Sequence, residues 1–131
     1  MAYYLDTSAA VKLVVEEAET AALQVWLGHD LRSIVSSDLL RTELLRATRR
    51  GAPHALGQAR AVLDSVTLLT VPTATLEHAA ELGPESLRSL DSIHLASALQ
   101  LGDELEGMVV YDRRMISAAK FYGITTVSPK P

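Results

Sequence analysis

Ala2-Tyr3-Tyr4-Leu5-Asp6-Thr7-Ser8-Ala9 opens the chain with an apolar run, one acid, and then small residues at the start of a helical pattern. Ala2 to Leu5 reads as a short buried strand, and Ala9, Leu13 and Val14 recur at helical intervals from Ser8 onward. The same order returns late in the chain. Met108-Val109-Val110-Tyr111 is a strand candidate, Asp112 follows it, and a helix is expected over residues 113–122 with Gly123 at its end. Tyr4-Leu5 and Val109-Val110 are continuously apolar, as strands covered on both faces must be.

Between these two segments, helices and strands alternate. A helix is expected over residues 17–27 (Ala18, Ala21, Ala22, Val25, Trp26) and a strand over 33–35. Ser36 or Ser37 is placed to cap a helix running through Leu39, Leu40, Leu44 and Leu45 to Arg50, stopped by Gly51-Ala52-Pro53. Residues 54–64 read as a helix and 66–71 as a strand closed by Pro72. Thr73 is placed to cap a helix to Leu82, which Gly83-Pro84 breaks. Residues 90–101 form a helix ended by Gly102, and 124–127 a last strand. This alternation defines the α/β class with a mainly parallel sheet. With 131 residues, no internal repeat and no linker-like stretch, one domain over 1–131 is expected.

Composition removes whole classes of chemistry. There is no Cys, so disulfides, thiolate metal sites and thiol catalysis are excluded. His29, His54, His78 and His94 have no zinc-ligand spacing. No apolar run is long enough for a membrane span, and the first residues lack a basic leader, so a cytoplasmic protein without a membrane partner is expected. Net charge is −4, against binding nucleic acid by bulk charge alone. The charge is uneven, however: residues 31–60 carry Arg32, Arg41, Arg46, Arg49, Arg50 and Arg60 against only Asp38 and Glu43. This run reads either as a solvated helix face or as a phosphate-steering patch beside an acidic site.

Four acids stand apart by position. Asp6 and Asp112 each follow a buried strand, and the carboxyl ends of parallel strands are where ligands gather. Asp91 starts the helix Asp91-Ser92-Ile93-His94-Leu95-Ala96, and Glu43 shares a helical stripe with Arg46 and Arg50. Each also has a plain structural reading: Asp6, Asp91 and Asp112 as N-caps, and Glu43 as the ion-pair partner of Arg46. Carboxylates brought to one place cannot all stay ionised without a cation, and oxygen donors without thiols select Mg2+ or Mn2+. His94, one turn beyond Asp91, is either a satisfied core residue or a group that orients that carboxylate or relays a proton. Thr7 and Ser8 read as caps or as hydrogen-bond donors to a ligand or phosphate, and Arg46 and Arg50 as partners of Glu43 or guides for a polyanion.

Four segments in order resemble the motifs of PIN-domain nucleases, in particular the VapC-type toxins of bacterial toxin–antitoxin pairs. They are Tyr4-Leu5-Asp6-Thr7-Ser8-Ala9, Ser37-Asp38-Leu39-Leu40-Arg41-Thr42-Glu43-Leu44, Leu90-Asp91-Ser92-Ile93-His94-Leu95-Ala96-Ser97-Ala98 and Val109-Val110-Tyr111-Asp112-Arg113-Arg114-Met115. The resemblance covers nearly the whole chain. It implies a PIN-like three-layer sandwich and a Mg2+-dependent endoribonuclease, Mn2+ substituting, with Asp6, Glu43, Asp91 and Asp112 as the metal-binding cluster. It further implies a homodimer and a small antitoxin of VapB type that blocks the site. Two features differ from the family pattern: Val110 stands where many relatives carry Thr, and Arg113-Arg114-Met115 offers no further acid. One or two metals are both compatible with that set.

Other readings are weighed on single residues. A phosphatase of the haloacid dehalogenase type needs a second Asp two positions after the first, and here that residue is Ser8. A receiver domain needs an acceptor Asp after a middle strand, which Thr70-Val71-Pro72 does not supply. A PIN-like scaffold that binds RNA or protein without cutting would lack one or more of the four acids, and this chain has all of them.

Overall fold

A computed structural model of the chain describes residues 1–28 and 33–131. Arg32, one of the six arginines of the basic run, and His29 therefore lie outside the described residues.

The strands are β1 (Ala2–Leu5), β2 (Ser33–Ser37), β3 (Thr67–Leu69), β4 (Leu105–Val109) and β5 (Thr126–Val127). They form one sheet in the order β3-β2-β1-β4-β5, every pair parallel. The connections run one way from β1 to β2 and β3, and the other way to β4 and β5. The reversal falls between β1 and β4, where Tyr4 pairs with Met108 and Leu5 with Val109. In an open parallel sheet such a switch point opens a crevice beyond the strand ends. Asp6 and Asp112 follow these two central strands.

The pleat sorts side chains by period two. Tyr4, Met108 and Val110 go to one face and pack with Leu95, Ala98, Met115, Ala118 and Ala119, from helices α6 (Ser89–Leu99) and α7 (Arg113–Phe121). Leu5 and Val109 go to the other face. There they meet Ala9 and Ala10 of α1 (Thr7–Ala10), Leu23 of α2 (Thr20–Gly28), Leu40 and Leu44 of α3 (Leu39–Gly51), and Ala59, Val62 and Leu63 of α4 (Leu56–Ser65). Helices thus cover both faces of a parallel sheet, which is the three-layer α/β architecture the sequence implies. Helix α5 (Thr73–Glu81) packs beside α6. Among the described residues, no helix is long and apolar enough to cross a membrane.

Several boundaries differ from the sequence reading, each for a local reason. Ser36 and Ser37 do not cap α3: both are strand residues, paired with Leu68 and Leu69, and Ser36 Oγ donates to the Leu5 carbonyl at 2.8 Å. Asp38 takes the turn into α3 without a side-chain capping bond. Thr73 is the first residue of α5, and Pro72 takes the capping position, also without a side-chain bond. Helix α2 starts at Thr20, not Glu17, because the Thr20 hydroxyl accepts from the Glu17 N–H at 2.9 Å and donates to the Lys12 carbonyl at 2.7 Å. β4 starts earlier and ends sooner than residues 108–111, since Leu105-Glu106-Gly107 hides its strand character behind two residues of low β propensity.

Gly107 has a packing reason. A Cβ there would stand 2.8 Å from the Thr125 carbonyl oxygen and 3.3 Å from the Tyr3 ring. That carbonyl accepts from the Met108 N–H at 2.8 Å and so cannot yield without loosening the β4–β5 edge. Gly107→Ala is expected to cost about 1–3 kcal/mol, as overpacking does, read as a lowered thermal midpoint with an unchanged circular dichroism spectrum.

Candidate active site

Asp6 leaves β1 at the crevice and caps α1, and only 4 % of its surface is exposed. Its Oδ2 accepts from Ser8 N–H at 3.1 Å and from Ser8 Oγ at 2.6 Å. Ser8 Oγ in turn accepts from the Tyr111 N–H at 2.9 Å and the Asp112 N–H at 3.3 Å. One hydroxyl therefore ties the acid after β1 to the backbone that carries the acid after β4. Burial pushes the Asp6 pKa up, against the charge of His94 and the Ser8 bonds, and the charge of Asp91 adds to the rise.

Glu43 lies within α3 and is held from two sides. Thr7 Oγ1 donates to Oε1 at 2.8 Å, and His94 Nε2 makes a short contact with the same oxygen. Thr7 Oγ1 also stands 3.2 Å from His94 Nε2. His94 is buried in α6, and its Nδ1 meets the Tyr4 hydroxyl at 2.8 Å. Burial pulls the His94 pKa down, but the hydrogen bond to Glu43 and the charges of Asp6, Glu43 and Asp91 outweigh it, so the net shift is upward. For Glu43 burial acts upward, and the contacts with His94 and Thr7 together with the Arg88 charge carry it below the usual range. Both shifts favour a charged imidazolium–carboxylate pair. Burial pushes the Tyr4 phenol up to about 12, so it stays protonated beside the ring.

Asp91 is the third residue of α6 and not its cap, a position taken by Arg88. Arg88 Nε stands 3.4 Å from Asp91 Oδ2, and another guanidinium nitrogen stands 3.8 Å from Asp112 Oδ2. Asp112 caps α7, its Oδ1 accepting from Arg114 N–H at 2.8 Å.

The four acids are thus linked at one rim: Asp6 to Asp112 through Ser8, Asp112 to Asp91 through Arg88, and Glu43 to the Asp6 helix through Thr7. The plain capping reading holds for Asp6 and Asp112 and fails for Asp91. Glu43 does not pair with Arg46, and His94 bonds Glu43 instead of orienting Asp91. The reason is burial: a half-buried carboxylate takes a desolvated imidazole from across the fold over an arginine that stays in water. Arg46 and Arg50 are exposed, and neither makes an ion pair among the described residues. Sequence reasoning missed Arg88 and the Tyr4 hydroxyl. Arg88 stands three residues before Asp91, the spacing of a helical ion pair, and that was the available signal.

The donor chemistry fits a hard divalent cation: carboxylate oxygens from three helices' starts and one helix interior, with no sulfur. Asp6 Oδ1 accepts no hydrogen bond from the described residues, so the buried acid keeps one oxygen for a ligand. As placed, no three acidic or imidazole side chains among the described residues converge closely enough to hold one ion. Arg88 and His94 supply the countercharge instead.

A parallel α/β sheet with an acidic rim at its switch point defines a class, and comparison with known proteins gives it a family. Residues 3–121 match the PIN domain. The chain is 42% identical over 128 residues to Ribonuclease VapC46 of Mycobacterium tuberculosis, spanning 98% of both chains. It is 41% identical over 133 residues to Ribonuclease VapC47 of the same organism, spanning 96% of both. The chain belongs to the PIN-domain family and, within it, to the VapC group. Its fold matches the crystal structure of Mycobacterium tuberculosis VapC20, a toxin that cleaves the sarcin–ricin loop, with a TM-score of 0.78 over 99% of this chain and 100% of that one at 17% identity. It also matches a chain of a toxin–antitoxin complex from Klebsiella pneumoniae, with a TM-score of 0.72 over 98% of both chains at 19% identity.

Proposed function

We propose that this protein is a Mg2+-dependent endoribonuclease toxin in which Asp6, Glu43, Asp91 and Asp112 form the metal-binding and catalytic cluster. The observation that carries this reading is the network of Ser8, Thr7 and Arg88 contacts that joins the segments bearing the four acids beyond the two central strands. Relatives named ribonucleases, 41% and 42% identical over nearly the whole chain, support RNA as the substrate.

Mg2+ bound there would polarise a phosphate oxygen and lower the pKa of a bound water, the chemistry that phosphodiester hydrolysis needs. The protein's part is positioning. Asp6, just after β1, and Asp112, at the start of α7, would be the direct ligands, and Ser8 sets the rotamer of Asp6 with two hydrogen bonds. Asp91 and Glu43 would complete the site directly or through water, as is usual for Mg2+. Thr7 and His94 fix the Glu43 carboxylate. The exposed Arg41, Arg46, Arg49 and Arg50 on α3 form a cationic surface beside the acids, suited to the RNA backbone. The solved toxin–antitoxin relative supports a small antitoxin of VapB type as the partner that neutralises the site. A homodimer working in the cytoplasm completes the reading.

The test is cleavage of total cellular RNA by the purified chain, analysed by end mapping. Cleavage at defined positions in Mg2+ and its loss in EDTA, restored by Mn2+, is expected. Equal cleavage with and without chelator contradicts the metal-dependent mechanism.

A further inference from the structure

Arg88 touches two acids of the rim, and the proposed mechanism leaves it without a task. Its backbone is fixed: it caps α6 in an extended conformation, and its carbonyl accepts from the Ser92 N–H at 2.9 Å. Its side chain is 66% exposed and reaches over the acids. The guanidinium stands 3.4 Å from Asp91 Oδ2 and 3.8 Å from Asp112 Oδ2, and its charge also acts on Glu43. One cation therefore acts on three of the four carboxylates.

These contacts are long and exposed, and such ion pairs contribute little individually. Contacts this weak give way easily to a doubly charged ion. We propose that Arg88 is the internal counter-cation of the acidic rim: it bridges Asp91 and Asp112 until a divalent cation displaces it, and so sets the metal concentration at which the site assembles. This rests on the metal-binding reading given above. Arg88 is a positioning residue in this account, since it acts through the two acids and touches no reacting atom.

Arg88→Gln removes the charge at an exposed position outside the core, and Arg88→Lys keeps it without the fork that spans two carboxylates. Titration of the native chain and both variants with MnCl2 by calorimetry separates the possibilities. Mn2+ is expected to bind Arg88→Gln about threefold to tenfold more tightly than the native chain, with Arg88→Lys between them. The rise in thermal midpoint on adding Mn2+ should be larger for Arg88→Gln than for the native chain, measured from a chelator-treated start. A purely structural ion pair would not tighten metal binding when removed. Equal or weaker Mn2+ affinity in Arg88→Gln overturns the role of Arg88 and leaves the metal site standing. No Mn2+ binding by any of the three overturns the metal reading itself, and this proposal with it.

Discussion

Asp6→Asn is expected to abolish RNA cleavage and to leave a protein at least as heat-stable as the native one. Both halves follow from where Asp6 sits. The carboxylate is 4% exposed, and its pKa is pushed up by burial. A carboxyl whose folded pKa lies above its unfolded value of 3.8 binds protons more tightly when folded. Its ionisation therefore lowers stability as pH rises from the unfolded value through the folded one. Asn removes that buried charge. It also keeps the cap, because Asn and Asp serve equally well at a helix N-terminus. The price in function is the anionic oxygen that would face the cation, for which a neutral amide is a poor substitute. Loss of at least 100-fold in cleavage rate is expected, with a thermal midpoint at pH 8 equal to or above that of the native chain. A marked drop in the midpoint would mean that Asp6 is a structural cap and not a strained functional acid.

His94→Ala is expected to be the most destabilising single change at the site. It leaves a cavity beneath the rim, deprives the buried Tyr4 hydroxyl of its partner at 2.8 Å, and removes the countercharge of Glu43. Cavity formation and an orphaned polar group together cost about 3 kcal/mol. Misplacing Glu43 should lower activity about 10–100-fold, as loss of a group that orients a ligand does.

The effect depends on pH in a defined direction. The folded His94 pKa lies above its ordinary 6.5, so the stability its charge contributes is fully present below that value and is lost as pH rises through the folded pKa. The folded Glu43 pKa lies below its ordinary 4.5, so its contribution is present above that value and is lost as pH falls through the folded pKa. The midpoint difference between native and His94→Ala should thus be largest between pH 4.5 and 6.5 and shrink as pH rises through the folded His94 pKa. A difference that grows with pH would contradict the charged pair.

What the sequence shows of the site divides along a physical line. Asp6 and Asp112 are legible because each closely follows an apolar run, Tyr4-Leu5 and Met108-Val109-Val110, and two such runs in one parallel sheet lead to the same rim. The layers are legible for the same reason: Tyr4 and Leu5 are both apolar because the sheet is covered on both faces. The partner of Glu43 is not legible. Helical spacing points to Arg46, but the bond goes to His94, 51 residues away, because desolvation and charge across the fold outweigh a local exposed pair. Arg88 escapes notice for the opposite reason: its spacing to Asp91 is that of an ordinary surface pair, and only the fold brings Asp112 to its other side. Ser36 and Ser37 mislead as caps because serine suits both a helix start and a buried strand whose hydroxyl finds a carbonyl, and sheet register decides between them.

The account turns on a divalent ion gathered by side chains from four separate segments. Anomalous diffraction from crystals of the native chain soaked in MnCl2 tests this most directly. The account predicts a Mn2+ peak at the carboxyl ends of β1 and β4, within ligation distance of Asp6 and Asp112, with the Arg88 guanidinium moved off the two acids it bridges. Mn2+ bound only elsewhere on the protein, with Arg88 still seated on Asp91 and Asp112, would contradict it.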